Sequence, residues 1–213
     1  MTNEENFTTE TTAVEKTEQK KPNLKKLITL IAVGVVVLVA VLITVLAIIN
    51  NNSPTEIAKA ATKAFLDCDY KKAEKRFLVT SKMEIDFSAN CLDYTEEEYL
   101  EDFYDVSSFK EYYDEMNEEI RDELYDEYGD YKYVIRKVKE DHATSKEYKQ
   151  YIEDWEESSY ERYYDILADD ISDMTTVEVK VRINGEDNSE TVTFTYEMVK
   201  YKGKWYIVDF EDW

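Results

Sequence analysis

Few residues in this 213-residue chain have the type and setting to do chemistry. The first is Asp209, in the closing stretch YKGKWYIVDFEDW. It shares strand parity with Trp205 and Ile207, so it is expected to project from an apolar wall. Burial there raises a carboxyl pKa and makes the group a general base. Trp205, Ile207 and Tyr196 are the residues expected to line such a pocket. The alternative for Asp209 is a strand-end carboxylate paired with lysine or solvent. No second acid and no oxyanion donor can be assigned beside it, which argues against an enzyme. His142, the single histidine, sits in EDHATSKE between a strand and a helix start and reads as a solvated loop residue. Cys68 and Cys91, the only cysteines, have no histidine near them in sequence and no nucleophile signature around them. Asp122 and Asp126 stand one helical turn apart within a run of acids and tyrosines. Calcium loops need closer oxygens and a glycine turn, so this run reads as a solvated helical face, with no metal and no cofactor expected. Glycine-rich phosphate loops, zinc spacings and nucleophile elbows are missing from the sequence.

Charge and hydropathy say more about where these residues sit. Leu27 to Ile49 is a 23-residue run without a charge. As a helix it is long enough for the ~30 Å hydrocarbon core, and too long for a cleaved signal peptide. Lys20, Lys21, Lys25 and Lys26 precede it, and no base follows until Lys59. The positive-inside rule therefore places residues 1–26 in the cytoplasm, as a disordered tail with a basic flank, and residues 50–213 outside the cell membrane. The tail is neutral, so the whole net charge of -22 lies in the outer part, which holds 43 acids and 21 bases. Such a surface repels nucleic-acid phosphates and attracts cations or basic partners. It is not a disordered acidic tail, because 18 Tyr, 8 Phe and 3 Trp supply bulk for a core. Outside the membrane, an oxidising setting favours a disulfide between Cys68 and Cys91 on compartment alone. Two unpaired thiols are the alternative.

The elements that must position these residues are legible from their punctuation. Ser53-Pro54 with Glu56, Asp69, Thr95 with Glu98, Ser108 with Glu111, and Thr144 with Glu147 mark helix starts. From Phe109 the series Tyr113, Met116, Ile120, Leu124 and Tyr128 describes one apolar face ending at Gly129, with Tyr112 and Tyr125 left outside. Thr144 opens a helix whose apolar positions run through Trp155 to Tyr163 and Leu167. The period then changes to two, at Val177 to Ile183 and Val192 to Met198. Turns are expected near Asn184-Gly185 and at Gly203, a last strand from Trp205 to Phe210, and an earlier strand from Tyr131 to Lys139. Helices first and most strands last give an α+β class with an antiparallel sheet.

This layout resembles the nuclear transport factor 2-like (NTF2-like) superfamily, and within it the bacterial membrane-anchored extracytoplasmic branch of unassigned function. The residues that carry the resemblance are AFLDCDYKKAEKRF, breaking at Asp69-Tyr70, and the closing VKYKGKWYIVDF. The resemblance implies helices packed on a strongly curved sheet, a cone with a pocket at its open end. The long acidic stretch from Asp93 to Gly129 departs from a minimal member and puts the openness of that pocket in question.

Together these readings point to a single-pass, membrane-anchored extracytoplasmic domain that binds a protein or envelope component through its acidic-aromatic surface. The alternative is a small-molecule pocket with weak isomerase-type proton transfer through Asp209.

Overall fold

Helix starts follow the local capping signals. In the computed structural model, which describes residues 52–211, Ser53 accepts the Glu56 N–H at 3.2 Å and opens α1 (Pro54–Leu66). Asp69 does the same for α2 (Tyr70–Glu74), and α3 (Ser81–Cys91) follows with Thr80 as its cap. Reciprocal capping boxes, Thr95 with Glu98 and Thr144 with Glu147, start α4 (Glu96–Tyr104) and α6 (Ser145–Glu156). Ser108 caps α5 (Phe109–Tyr128), which ends at Gly129 with φ 65°.

The helices depart from expectation at three points. Helix α3 was not anticipated. The helix opened by Thr144 does not continue to Leu167. Ser158 caps a separate short helix, α7 (Ser159–Tyr164), and Asp165 then takes a left-handed conformation at φ 54°. The Trp155 indole N–H donates to the Ile166 carbonyl at 2.9 Å, folding the chain back beneath α6, while Leu167 is exposed. Tyr112 was placed outside α5, yet it is buried between α3, α4 and α5.

The strands β1 (Tyr131–His142), β2 (Ile171–Gly185), β3 (Ser189–Tyr201) and β4 (Lys204–Glu211) form one antiparallel sheet in the order β1-β2-β3-β4. Together with the helices packed on it, this is the α+β class. Lys202 and Gly203, both at positive φ (47° and 79°), make the two-residue turn between β3 and β4. Residues Arg76–Leu78 cover the outer edge of β4. The Ile207 N–H donates to the Arg76 carbonyl at 2.9 Å, and the Leu78 N–H donates back to Ile207 at 2.8 Å. That strip hides backbone groups that an edge strand otherwise exposes.

One face of the sheet, with Val177, Val179, Val181, Ile183, Phe194, Tyr196 and Met198, packs under α1 and α5 to form the main core. The opposite face, with Val199, Tyr206 and Val208, packs against Trp155, Tyr160 and Ile166. Both edge strands carry a bulge, at Arg136 in β1 and at Val208 in β4, where the register with the neighbour slips by one. A bulge bends its strand and reverses which face later residues meet. In β1 the core-facing set runs Tyr131, Tyr133, Ile135 and then Val138; in β4 it runs Trp205, Ile207 and then Phe210.

The segment Leu27–Ile49 and the tail before it lie outside the described residues. Among the described residues, no helix is long and apolar enough to cross a membrane.

Candidate functional site

The Val208 bulge decides where Asp209 goes. Met198 pairs with Ile207 and Glu197 pairs with Asp209, so Val208 is the extra residue. Asp209 therefore leaves the face that Trp205 and Ile207 share and joins Glu197 on the opposite one. The expectation of an apolar wall around it fails for this reason. Its side chain is exposed, and one carboxylate oxygen accepts the N–H of Phe210 at 2.9 Å. Trp205 and Ile207 are core residues, 8% and 0% exposed. Of the three expected pocket residues, Tyr196 alone lines the cavity described next.

That cavity, about 280 Å³, lies where α1, α2 and the start of α3 meet the end of β4. Its apolar part is a group of rings around Phe210. Phe65 stands 6.0 Å away edge-on, Phe77 5.7 Å away edge-on, and Tyr196 6.2 Å away and nearly parallel. Tyr196 is held from below by a hydroxyl–hydroxyl hydrogen bond to Thr62 at 2.8 Å, buried in the core. Its polar part consists of Tyr70, Ser81 and three carboxylates, Glu74, Glu84 and Asp209.

Glu74 is only 5% exposed, yet it is well partnered. One of its oxygens accepts the Tyr113 hydroxyl at 2.6 Å, and the other accepts the backbone N–H of Ser81. The Ser81 N–H belongs to the first residue of α3, so Glu74 satisfies an orphan donor at that helix start. Burial, and then the Glu74 carboxylate, keep the proton on the Tyr113 phenol well past its ordinary range. Glu84 has no such donors among the recorded bonds. Partial burial first, and then repulsion from Glu74, push its carboxyl above the ordinary value.

A second, shallower hollow of about 420 Å³ opens on the other face of β4 and shares Tyr160, Val208 and Asp209 with the first. Tyr160 stacks on Trp155 at 4.5 Å and donates to the Val208 carbonyl at 3.2 Å, the bulge residue supplying the acceptor. Glu197 lines this hollow, and burial followed by repulsion from Asp209 and Glu211 raises its pKa. No lysine, arginine or histidine lines either hollow. Among the described residues, no ion pair reaches Glu74, Glu84, Asp154, Glu197 or Asp209.

The other candidates separate from this site. His142 ends β1, is mostly exposed, and lies 2.9 Å from the Glu140 carboxylate. The Cys68–Cys91 bridge is not formed. Cys68 turns its sulfur to the Tyr131 hydroxyl at 3.9 Å, while Cys91 stands exposed at the end of α3. Asp122 and Asp126 lie on the solvent side of α5, and no cluster among the described residues has metal-holding geometry. Among the described residues, the exposed aromatics are Phe103 and Tyr104 on α4, Tyr125 on α5 and Tyr163 on α7, and the buried Tyr112 is not among them. No protein-family model matches this chain, and neither a curated protein nor a solved structure is similar to it.

What sequence reasoning missed is the group Glu74, Glu84, Phe65, Phe77 and Tyr160. The signal available was AEKRF, an acid at the end of a short helix three residues before a phenylalanine, and that pattern is too common to stand out.

Proposed function

We propose that the chain is a single-pass membrane protein whose acidic α+β domain lies outside the membrane and binds a ligand without transforming it. The charge-free run Leu27–Ile49 behind a lysine flank supports the anchor and its orientation. The cone expected from the NTF2-like resemblance is consistent with a four-stranded sheet bent by bulges in both edge strands. The observation that carries the binding reading is the 280 Å³ cavity, walled by rings on one side and carboxylates on the other. Its size is near the lower end of small-ligand sites, with a few polar groups set in an apolar wall. Proton transfer through Asp209 finds no support, since this carboxylate is exposed and faces away from the core.

The test uses the full chain in zwitterionic nanodiscs, titrated with benzyl alcohol as a neutral ring probe and followed by tryptophan fluorescence. Trp155 reports through its stack with Tyr160. A saturable change that Ala61→Leu abolishes is expected, because Ala61 lines the cavity and extra methyl groups fill it. A response that is linear, or indifferent to Ala61→Leu, overturns the pocket. Protease added outside intact cells is expected to remove the domain, and full protection in intact cells, with cleavage once the cells are lysed, contradicts the orientation.

A further inference from the structure

We infer that the ligand of this cavity is a small organic cation, an ammonium or guanidinium group on an apolar body, held between the Phe210 ring group and the Glu74 and Glu84 carboxylates. This rests on the pocket reading above and adds the chemical class of its occupant.

The argument begins with what the cavity contains rather than with the acidity of the surface. Its lining offers Phe65, Phe77, Phe210 and Tyr196 together with three carboxylates, and no base. Ring faces attract a cation through their quadrupole, and that attraction grows as water is excluded. A carboxylate ligand meets repulsion from every charged group in the wall. A neutral ligand gains the rings but leaves Glu84 as it is, a charge repelled by that of Glu74. A bare metal ion fits poorly, because half the wall supplies no ligating oxygen and the carboxylates have no metal-holding arrangement. The one occupant that uses both halves has a cationic head and an apolar body.

Glu74 is committed to Tyr113 and Ser81, so it acts as a fixed charge at the back of the cavity. Glu84, in the first turn of α3, lines the cavity, is solvent-accessible and has no ion pair among the described residues, so its carboxylate is the one available to a bound head group. The second hollow continues the same character past Asp209, with Glu197 and Asp154 against Tyr151 and Tyr160.

The experiment compares three probes of nearly one shape: benzylammonium, benzyl alcohol and benzoate. Each is titrated into the full chain in zwitterionic nanodiscs at about 50 mM and about 0.5 M salt, concentrations that bracket strong screening. Benzylammonium is expected to bind at least about tenfold more tightly than benzyl alcohol at low salt, with the gap narrowing at high salt, and benzoate most weakly. Glu84→Gln is expected to weaken benzylammonium about fivefold, the effect of one charge near 4 Å in a wet site, while leaving benzyl alcohol unchanged. Glu118→Gln removes an exposed charge on the outer side of α5 and separates a site from the general field of -22 charges. It is expected to change nothing. Equal affinity for ammonium and alcohol overturns the cation inference and leaves the pocket standing. A loss in Glu118→Gln as large as in Glu84→Gln overturns it too. Failure of all three probes to bind through the millimolar range overturns the pocket reading with it.

Discussion

Removing one hydroxyl, in Tyr113→Phe, tests how the helices that wall the cavity are held. Glu74 is nine-tenths buried, and its two oxygens are satisfied from two other helices: by the Tyr113 hydroxyl of α5 at 2.6 Å and by the first N–H of α3. Phenylalanine keeps the ring, which is 9% exposed and packed between Tyr70, Phe109 and Tyr112, so no sizeable cavity forms. What is lost is one donor to a buried carboxylate. Hydrogen bonds to charged groups contribute about 1.5–3 kcal/mol, and an unpaired buried acceptor adds a desolvation penalty, so a loss of about 2 kcal/mol is expected. For a domain of this size that corresponds to a fall of roughly 4–8 °C in Tm. Urea unfolding of the full chain in detergent measures it as a lower midpoint at unchanged m-value. A double-mutant cycle with Glu74→Gln isolates the pair. The double variant is expected to be more stable than the sum of the single losses by about 1 kcal/mol or more, because the two groups are in direct contact. A Tyr113→Phe variant within about 0.5 kcal/mol of wild type, or strict additivity in the cycle, refutes the reasoning.

Three further outcomes follow from other parts of the fold. At Gly185 an added Cβ would overlap the Tyr128 carbonyl oxygen and come within 2.7 Å of the Tyr128 Cβ, and Tyr128 is fully buried. Gly185→Ala is expected to cost about 2 kcal/mol or more. Gly203→Ala meets no atom but strains a φ of 79°, costing about 1 kcal/mol; the reverse order in urea unfolding contradicts the packing account. Glu84 and Glu197 bind their protons more tightly folded than unfolded, so the stability they contribute rises as pH falls through their folded values toward the ordinary 4.5. Glu98, Glu111 and Glu147 are held low by hydrogen bonds from Thr95, Ser107 and Thr144, and their contribution is lost only below that range. Tm is therefore expected to rise from about pH 7.5 to about pH 5 and then fall, with a smaller rise in Glu84→Gln/Glu197→Gln; a rise undiminished in that variant defeats the assignment. Finally, maleimide labelling of protein purified without reductant is expected to modify Cys91 rapidly and Cys68 slowly, since only Cys91 is exposed. Finding no free thiol restores the bridge.

The helix starts at Ser53, Asp69, Thr95, Ser108 and Thr144 were legible because a cap is a hydrogen bond across two or three residues, written entirely within the local sequence. The same holds for β2 and β3, whose alternation reports one covered face, and for the Lys202-Gly203 turn. Helix α3 escaped because Thr80 lacks a glutamate or glutamine three residues on, and because its fully buried apolar residues are only Ile85 and Ala89. The break after α6 escaped because it depends on Trp155 reaching Ile166 across a fold-back that no periodicity announces. Asp209 shows the division most clearly. Its residue type and strand were readable, but its face was not, since the Val208 bulge depends on five distant residues. These are Glu197 and Met198 across the ladder, Arg76 and Leu78 along the edge, and Tyr160 on the bulge carbonyl. The cavity is likewise made of residues between Ala61 and Phe210 that meet only when the sheet closes against the helices. Composition and short-range pattern settle the kind of domain and its charge. Which carboxylates face which rings is settled by register and packing, which act between residues far apart in the chain.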